Sequence, residues 1–431
     1  MINEQEKNAI SGQMYNWVKD LFPVCRSLTG PGVRETLSYI QKVVPELGVK
    51  AVPSGSLAFD WTVPPEWHIR DAWVEHESGE RVIDFADHNL HVLGYSTAFD
   101  GTVSLEELQE HLYSIPEQPD AIPYVTSYYK ERWGFCLTHE ARQRLKPGHY
   151  HVHVDSDLTP GVLNYGELVL PGETEEEILL TTYVCHPSMA NNELSGPAVL
   201  MALIQTLKDM PSRKYTYRLL FLPETIGSIV YLSQHLEHLQ QHVKAGFVVT
   251  CVGDDLAYSY LPSRKGGTLS DRAAQHVLRF IGSEVTHYTW LDRGSDERQF
   301  CAPGVDLPMC AMMRSKYGEY PEYHTSLDNL DFISEAGLYG GYLALRRAIE
   351  AIEHNHYPKV TVLCEPQLGK RGLYPTISSK GHADHVRAMM NFISYCDGEM
   401  DLIEIAERIN EPIWEIIPIM KTLNREGLIT Y

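Results

Sequence analysis

Between residues 165 and 355, apolar runs alternate with amphipathic segments, and this alternation restricts the fold more than any other feature of the chain. The runs cover residues 177–185, 217–222, 247–252 and 306–312, and segments 197–208 and 228–239, with helical spacing, separate the first three. Runs that are apolar throughout, rather than at every second residue, suit strands buried on both faces. The pattern predicts an α/β domain with a mostly parallel sheet and helices on both sides.

The remainder of the 431 residues is too long for one unit. Residues 5–20 and 33–43 carry helix-like spacing around the turn-rich stretch 27–32. From 59 to 164, short Val-, Tyr- and Trp-containing runs broken by Gly, Pro, Asp and Asn predict a β-rich unit. In 358–431, Leu402, Ile405, Ala406 and Ile409 make one helical stripe. Ile413, Ile416, Ile417, Met420 and Leu423 make another, followed by an apolar 427–429 stretch. Two short helices and a strand predict a winged-helix-like unit. Residues 385–431 hold eight acidic against four basic residues, the wrong sign for reading DNA.

The formal charge of −21 argues against nucleic acid or an anionic membrane as partner. No run of eighteen apolar residues is present to span a bilayer, and the polar N-terminal residues lack a secretory core. The eight cysteines form no C-x-x-C pair and read as reduced thiols. A cytoplasmic protein is expected, with a second copy of itself as the one macromolecular partner considered.

Ligands of parallel α/β sheets gather at the C-terminal strand ends, and here those ends carry His and carboxylate residues. The first run leads into His186-Pro-Ser and then Asn191-Asn-Glu-Leu-Ser-Gly196. The second leads into Pro223-Glu224-Thr-Ile-Gly-Ser228 and the third into Gly253-Asp254-Asp. After the fourth comes Tyr323-His324-Thr-Ser-Leu-Asp328. Imidazole and carboxylate are the ligands of a catalytic zinc that keeps one position open for water. A further carboxylate must then take the proton from that water.

With Ser295-Asp-Glu-Arg298 added, these motifs resemble the zinc aminopeptidases with co-catalytic metals. More closely, the chain resembles a bacterial aminopeptidase-like family with an inserted β-rich domain of unknown function and a C-terminal winged helix. The resemblance spans nearly the whole chain, and it implies that residues 1–58 and 165–355 form one split catalytic domain with 59–164 inserted between them. It places His186 at the first metal-binding histidine and His324 at the last. Asn192 stands where the superfamily has its bridging Asp, with Glu193 adjacent. Glu224 alone represents a Glu-Glu pair of one base and one metal ligand, so it can fill either role but not both, and the general base is the favoured one. Thr250 stands at the third-strand Asp, with Asp254 and Asp255 further on. The resemblance with these departures implies one zinc rather than two, held by His186 and His324 with Asn192, Glu193 or Asp254.

Asp296 and Arg298 are candidate contacts for a substrate ammonium and carboxylate, and Tyr323 for an oxyanion. Asp328 is a candidate partner of His324, with a helix-capping role as its alternative. The alternating His149, His151 and His153 share one strand face and read as a structural or exposed row. Cys185 is expected to point away from His186, which makes a Cys–His nucleophile unattractive. Release of an N-terminal residue from a short peptide is the leading expectation. The alternatives are deacylation of a small N-acyl compound such as an amino sugar, and a binding protein on a degenerate peptidase scaffold.

Overall fold

A computed structural model describes residues 4–128, 130–282, 284–373 and 380–431. Its main sheet has eight strands, labelled here in chain order. They are β1 (Gly48–Pro53), β2 (Val162–Leu170), β3 (Glu177–Tyr183), β4 (Thr216–Leu222), β5 (Val243–Val248), β6 (Tyr258–Leu261), β7 (Val285–His287) and β8 (Met309–Met313). The order across the sheet is β1-β2-β4-β3-β5-β8-β6-β7. The central strands β4, β3, β5 and β8 run parallel, while β1, β2 and β6 join antiparallel neighbours.

The central strands face two cores, which explains why their sequences are apolar throughout. Ile178 and Leu180 point into one core with Leu219, Phe221 and Phe247. Leu179 points into the other with Leu220, Leu222 and Val248. Helices Glu4–Leu21, Ser195–Lys208, Leu269–Ile281 and Glu335–Glu353 cover the first face, and helix Ile226–His242 covers the second. Helix Ser195–Lys208 lies so close that a Cβ on Gly196 would come within 2.4 Å of the Val249 carbonyl oxygen. Only glycine permits that approach.

The runs and the strands differ in their bounds. The 247–252 run begins inside β5 and leaves it at Val248, so Thr250 through Val252 lie beyond the strand. The 306–312 run begins at Asp306, which has φ 54° and belongs to the preceding turn. The inserted unit holds the antiparallel strands Arg81–Asp84, Glu66–His76, His149–Thr159 and Phe99–Ser104 around its own core. The main sheet takes Val162 onwards, and Ala58, Trp61 and Val63 pack in a main-domain core. The insert is therefore narrower than the predicted 59–164, because the flanking residues bury their apolar side chains under the larger sheet.

In the C-terminal unit, helices Lys380–Ser394, Leu402–Ile409 and Ile413–Arg425 accompany a ribbon of Lys359–Val360 and Ile429–Thr430. The first of these helices was not expected, and residues 374–379 lie outside the described residues. The unit packs on the main domain and shares its core. Arg272 forks onto Asp401 at 2.7 and 2.5 Å, and the Ile413 N–H donates to His276 Nε2 at 2.9 Å. No helix among the described residues is long and apolar enough to cross a membrane.

That last contact makes docking sensitive to acid. Burial, assisted by Arg279, depresses the His276 pKa to about 4, and Glu407 lies 4.0 Å from its Nδ1. The native state holds this ring neutral, whereas an unfolded histidine titrates near 6.5. Stability present above pH 6.5 is therefore lost as pH falls toward 4, by about 2 kcal/mol at pH 5. Urea denaturation at pH 7.5 and 5 should show that loss, and His276→Gln should remove it. An equal acid loss in the variant would assign it to other groups.

Candidate metal centre and active site

Strand β3 ends at Tyr183, so strand alternation no longer separates Cys185 from His186. The two are brought together instead: Cys185 Sγ lies 3.5 Å from His186 Nδ1. The same Nδ1 donates to Glu193 Oε2 at 2.8 Å. Among the described residues, Cys185, His186 and Glu193 are the one group of three such side chains with ligand atoms within 4.8 Å of one another.

Charge and protonation set the role of that group. Glu193 Oε1 lies 3.8 Å from Arg26 Nε, and both side chains are fully buried. Arg26 also donates to the carbonyls of His186 and Leu21, at 3.0 and 2.7 Å. A buried guanidinium beside Glu193 opposes a metal ion on this side of the ring. Burial also pushes the Cys185 thiol up to about 12, and the sulfur receives the Glu224 N–H at 3.2 Å. Glu193 therefore stands behind the imidazole and fixes Nδ1 as the protonated nitrogen, as carboxylates do for metal-binding histidines. Burial alone would lower the His186 pKa; Cys185 and Glu193 more than offset it and hold it above the usual value.

His186 Nε2 is left on the other side, 3.7 Å from Glu224 Oε2. His324 completes the group, its ring centroid 5.3 Å from that of His186. His324 Nε2 lies 3.2 Å from Asn192 Oδ1. The Asn192 amide nitrogen donates to the Tyr183 hydroxyl at 2.8 Å, which turns its oxygen toward His324. Burial and the neighbouring His186 depress the His324 pKa to about 3, so this ring is neutral. Tyr323 stacks flat on it at 3.9 Å and is not in the wall of the cavity. This support of the ring contrasts with the oxyanion role expected for Tyr323.

The other predicted residues divide between the cavity and its support. Asp328 accepts the N–H groups of Ala190, Asn191 and Asn192, at 3.1, 2.6 and 2.9 Å, and the Tyr320 hydroxyl at 3.1 Å. It thus caps the turn that carries Asn192 and Glu193 and does not pair with His324. Asp254, a candidate ligand, is instead engaged by Asn191 at 3.0 Å and by the Ser315 N–H and hydroxyl at 2.8 Å. It sits six residues beyond the end of β5 and is not in the wall of the cavity that His186 and His324 line. Thr250 stays close, donating to the Asn192 carbonyl at 3.0 Å.

Asp296 accepts the Thr225 N–H at 2.8 Å. Burial, then the charges of Glu224 and Glu297, push it up to about 7. It lies under the cavity rather than in its wall, so it does not face a substrate ammonium as expected. Ser295 donates to Glu224 Oε1 at 2.8 Å. Burial raises the Glu224 pKa, while its side chain keeps 20% exposure. Arg298 does line the cavity. His149, His151 and His153 pair with Glu77 and Asp100 on the insert, apart from this site.

The cavity has a volume of about 860 Å³, with His186, Glu224, Arg298 and His324 in its wall. Tyr124 and Tyr128, contributed by the insert, also line it. Nothing in their local pattern separated them from ordinary β-rich loop residues. The Tyr124 N–H donates to the His324 carbonyl at 2.8 Å, and the Ser326 N–H to the Ile122 carbonyl at 2.9 Å. These bonds hold His324 at φ 55°. Ser188, Thr225 and Cys251, in the neighbouring strand-end loops, also have positive φ. Such conformations persist only where the surroundings over-determine them.

Comparison with known proteins agrees with this architecture. A family model described as a domain of unknown function (DUF4910) matches residues 15–355, and one for a winged helix-turn-helix matches 355–431. A Clostridium acetobutylicum protein is 46% identical over 406 residues, covering 93% of this chain and 92% of its own. It is provisionally named a polysaccharide biosynthesis protein with aminopeptidase-like domain. A crystal structure from the same species, provisionally titled a peptidase, is 43% identical with a TM-score of 0.93, covering 99% of this chain and 97% of its own. BSAP, a zinc aminopeptidase from Bacillus subtilis, shares the fold at 12% identity, with a TM-score of 0.58 over 79% of this chain and 94% of its own. The chain belongs to the DUF4910 family, built on an aminopeptidase-like α/β fold and ending in a winged helix.

Proposed function

We propose that this protein is a zinc-dependent hydrolase that cleaves an amide bond in a small substrate, most simply releasing the N-terminal residue of a short peptide. The observation that carries this reading is the convergence of His186, His324 and Glu224 on one cavity, with Asn192 Oδ1 3.2 Å from His324 Nε2 behind its wall. Two imidazoles, one of them oriented from behind by a carboxylate, and an amide oxygen form a donor set that fits one zinc. His186 and His324 would hold it through Nε2, with Asn192 through Oδ1. Zinc bound there supplies a Lewis acid for the amide carbonyl and lowers the pKa of water. Glu224 takes the proton from the attacking water and delivers it to the leaving nitrogen. Ser295 fixes one oxygen of Glu224 and leaves the other toward His186.

The name of the Clostridium relative, which joins an aminopeptidase-like domain to polysaccharide biosynthesis, supports an acyl-amino sugar as the second substrate to test. A cytoplasmic location is part of the same reading, in keeping with eight unpaired cysteines. Aminoacyl anilides and N-acyl sugars, assayed with and without Zn²⁺, test the activity. Metal analysis should find about one zinc per chain in the wild type and a large loss in His186→Ala. A wild-type protein that takes up no zinc would end the hydrolase reading.

A further inference from the structure

We propose that the cavity is built for a substrate bearing a carboxylate, which Arg298 binds with Thr225 beside it. The inference rests on the hydrolase reading of the same site and names what that site selects. Arg298 lies in the cavity wall, and its Nη2 donates to Thr225 Oγ1 at 2.7 Å, which steadies the guanidinium. Among the described residues no carboxylate lies within ion-pair distance of it. Arg298 is exposed, which leaves its other donors open to a molecule that enters the cavity. Its remaining donors form a planar fork that matches a carboxylate in two parallel hydrogen bonds.

The surrounding carboxylates strengthen the case, because most are turned to internal work. Glu193 pairs with Arg26 and His186, Asp328 caps backbone N–H groups, and Asp296 holds the Thr225 N–H. Glu224 is the acid that remains in the buried part of the cavity, and Asp60 is exposed at its edge. Trp61, Pro64, Tyr124 and Tyr128 supply flat apolar surface for the body of a small molecule. A volume of about 860 Å³ admits a dipeptide or a monosaccharide derivative but not a folded chain. The carboxylate can come from the C-terminus of a short peptide or from a sugar acid.

Calorimetric titration of the zinc-supplemented Glu224→Gln protein, in which turnover is expected to be lowered by roughly 10²–10⁴-fold, separates these sources without hydrolysis of the probes. Arg298 is varied in that background. The probes are alanyl-alanine against its C-terminal amide, and glucuronate against glucose. At least one acid should bind about tenfold or more tightly than its neutral counterpart. Arg298→Gln should abolish that preference, and Arg298→Lys should keep part of it. A preference confined to the dipeptide identifies a peptide C-terminus, and one confined to glucuronate identifies a sugar acid. Equal binding of acid and neutral probes, no binding of either acid, or a preference that survives in Arg298→Gln would overturn the proposal. Absence of turnover by the wild type with the preference intact would instead remove the hydrolase reading and leave the carboxylate site standing.

Discussion

Glu224→Gln is expected to lower turnover by roughly 10²–10⁴-fold while the protein keeps its zinc. The substitution preserves shape and the hydrogen bond from Ser295, since an amide oxygen can still accept it. It removes the ability to take a proton from water. Burial raises the Glu224 pKa, which makes this carboxylate a better base than an exposed one. Steady-state kinetics paired with metal analysis separate the two roles that the sequence leaves open for this residue. A fall in bound zinc that tracks the fall in kcat would make Glu224 a ligand and sink its assignment as the base.

Arg26→Met should destabilise the fold by about 3–5 kcal/mol, because it strands the Glu193 carboxylate in a dry interior. Both side chains of the pair are fully buried, so water cannot replace the lost partner. The substitution also frees the His186 and Leu21 carbonyls that Arg26 now serves. Adding Glu193→Gln should recover a large part of the loss, since its amide oxygen can still accept from His186 Nδ1 with no buried charge left over. Urea denaturation of the two variants measures the difference. A loss below about 1 kcal/mol in the single variant would show that the pair does not carry the site.

Most of the fold was legible locally. Apolar runs without alternation mark strands buried on both faces, and helices Glu4–Leu21 and Pro31–Val43 cover the stretches whose spacing predicted them. Strand ends were less legible. β5 stops at Val248 although its apolar run continues to Val252, because the later residues are buried without strand geometry: Cys251 has φ 50° and the Val252 N–H bonds to Ser195 Oγ. Apolarity reports burial and does not say which backbone conformation achieves it. The same ambiguity left Asp254 a candidate ligand, whereas its oxygens are engaged by Asn191 and Ser315.

Sequence by itself determined the mostly parallel sheet, the strand ends that carry His and carboxylate residues, and His186, Glu224 and His324 as candidates that the fold brings to one cavity. Each of these follows from patterns within a few residues, and the topology of a parallel sheet then brings such ends together. Tertiary structure decided what surrounds them. Arg26 reaches the His186 carbonyl across 160 positions of sequence. Glu193 turns to the back of the imidazole because that buried guanidinium is there, and Asp328 serves backbone N–H groups 136 to 138 residues away. Tyr124 comes from another unit to fix the strained His324. Hydrogen bonds and charge pairing in a dry interior depend on which groups arrive at the same place, and no local pattern encodes that arrival.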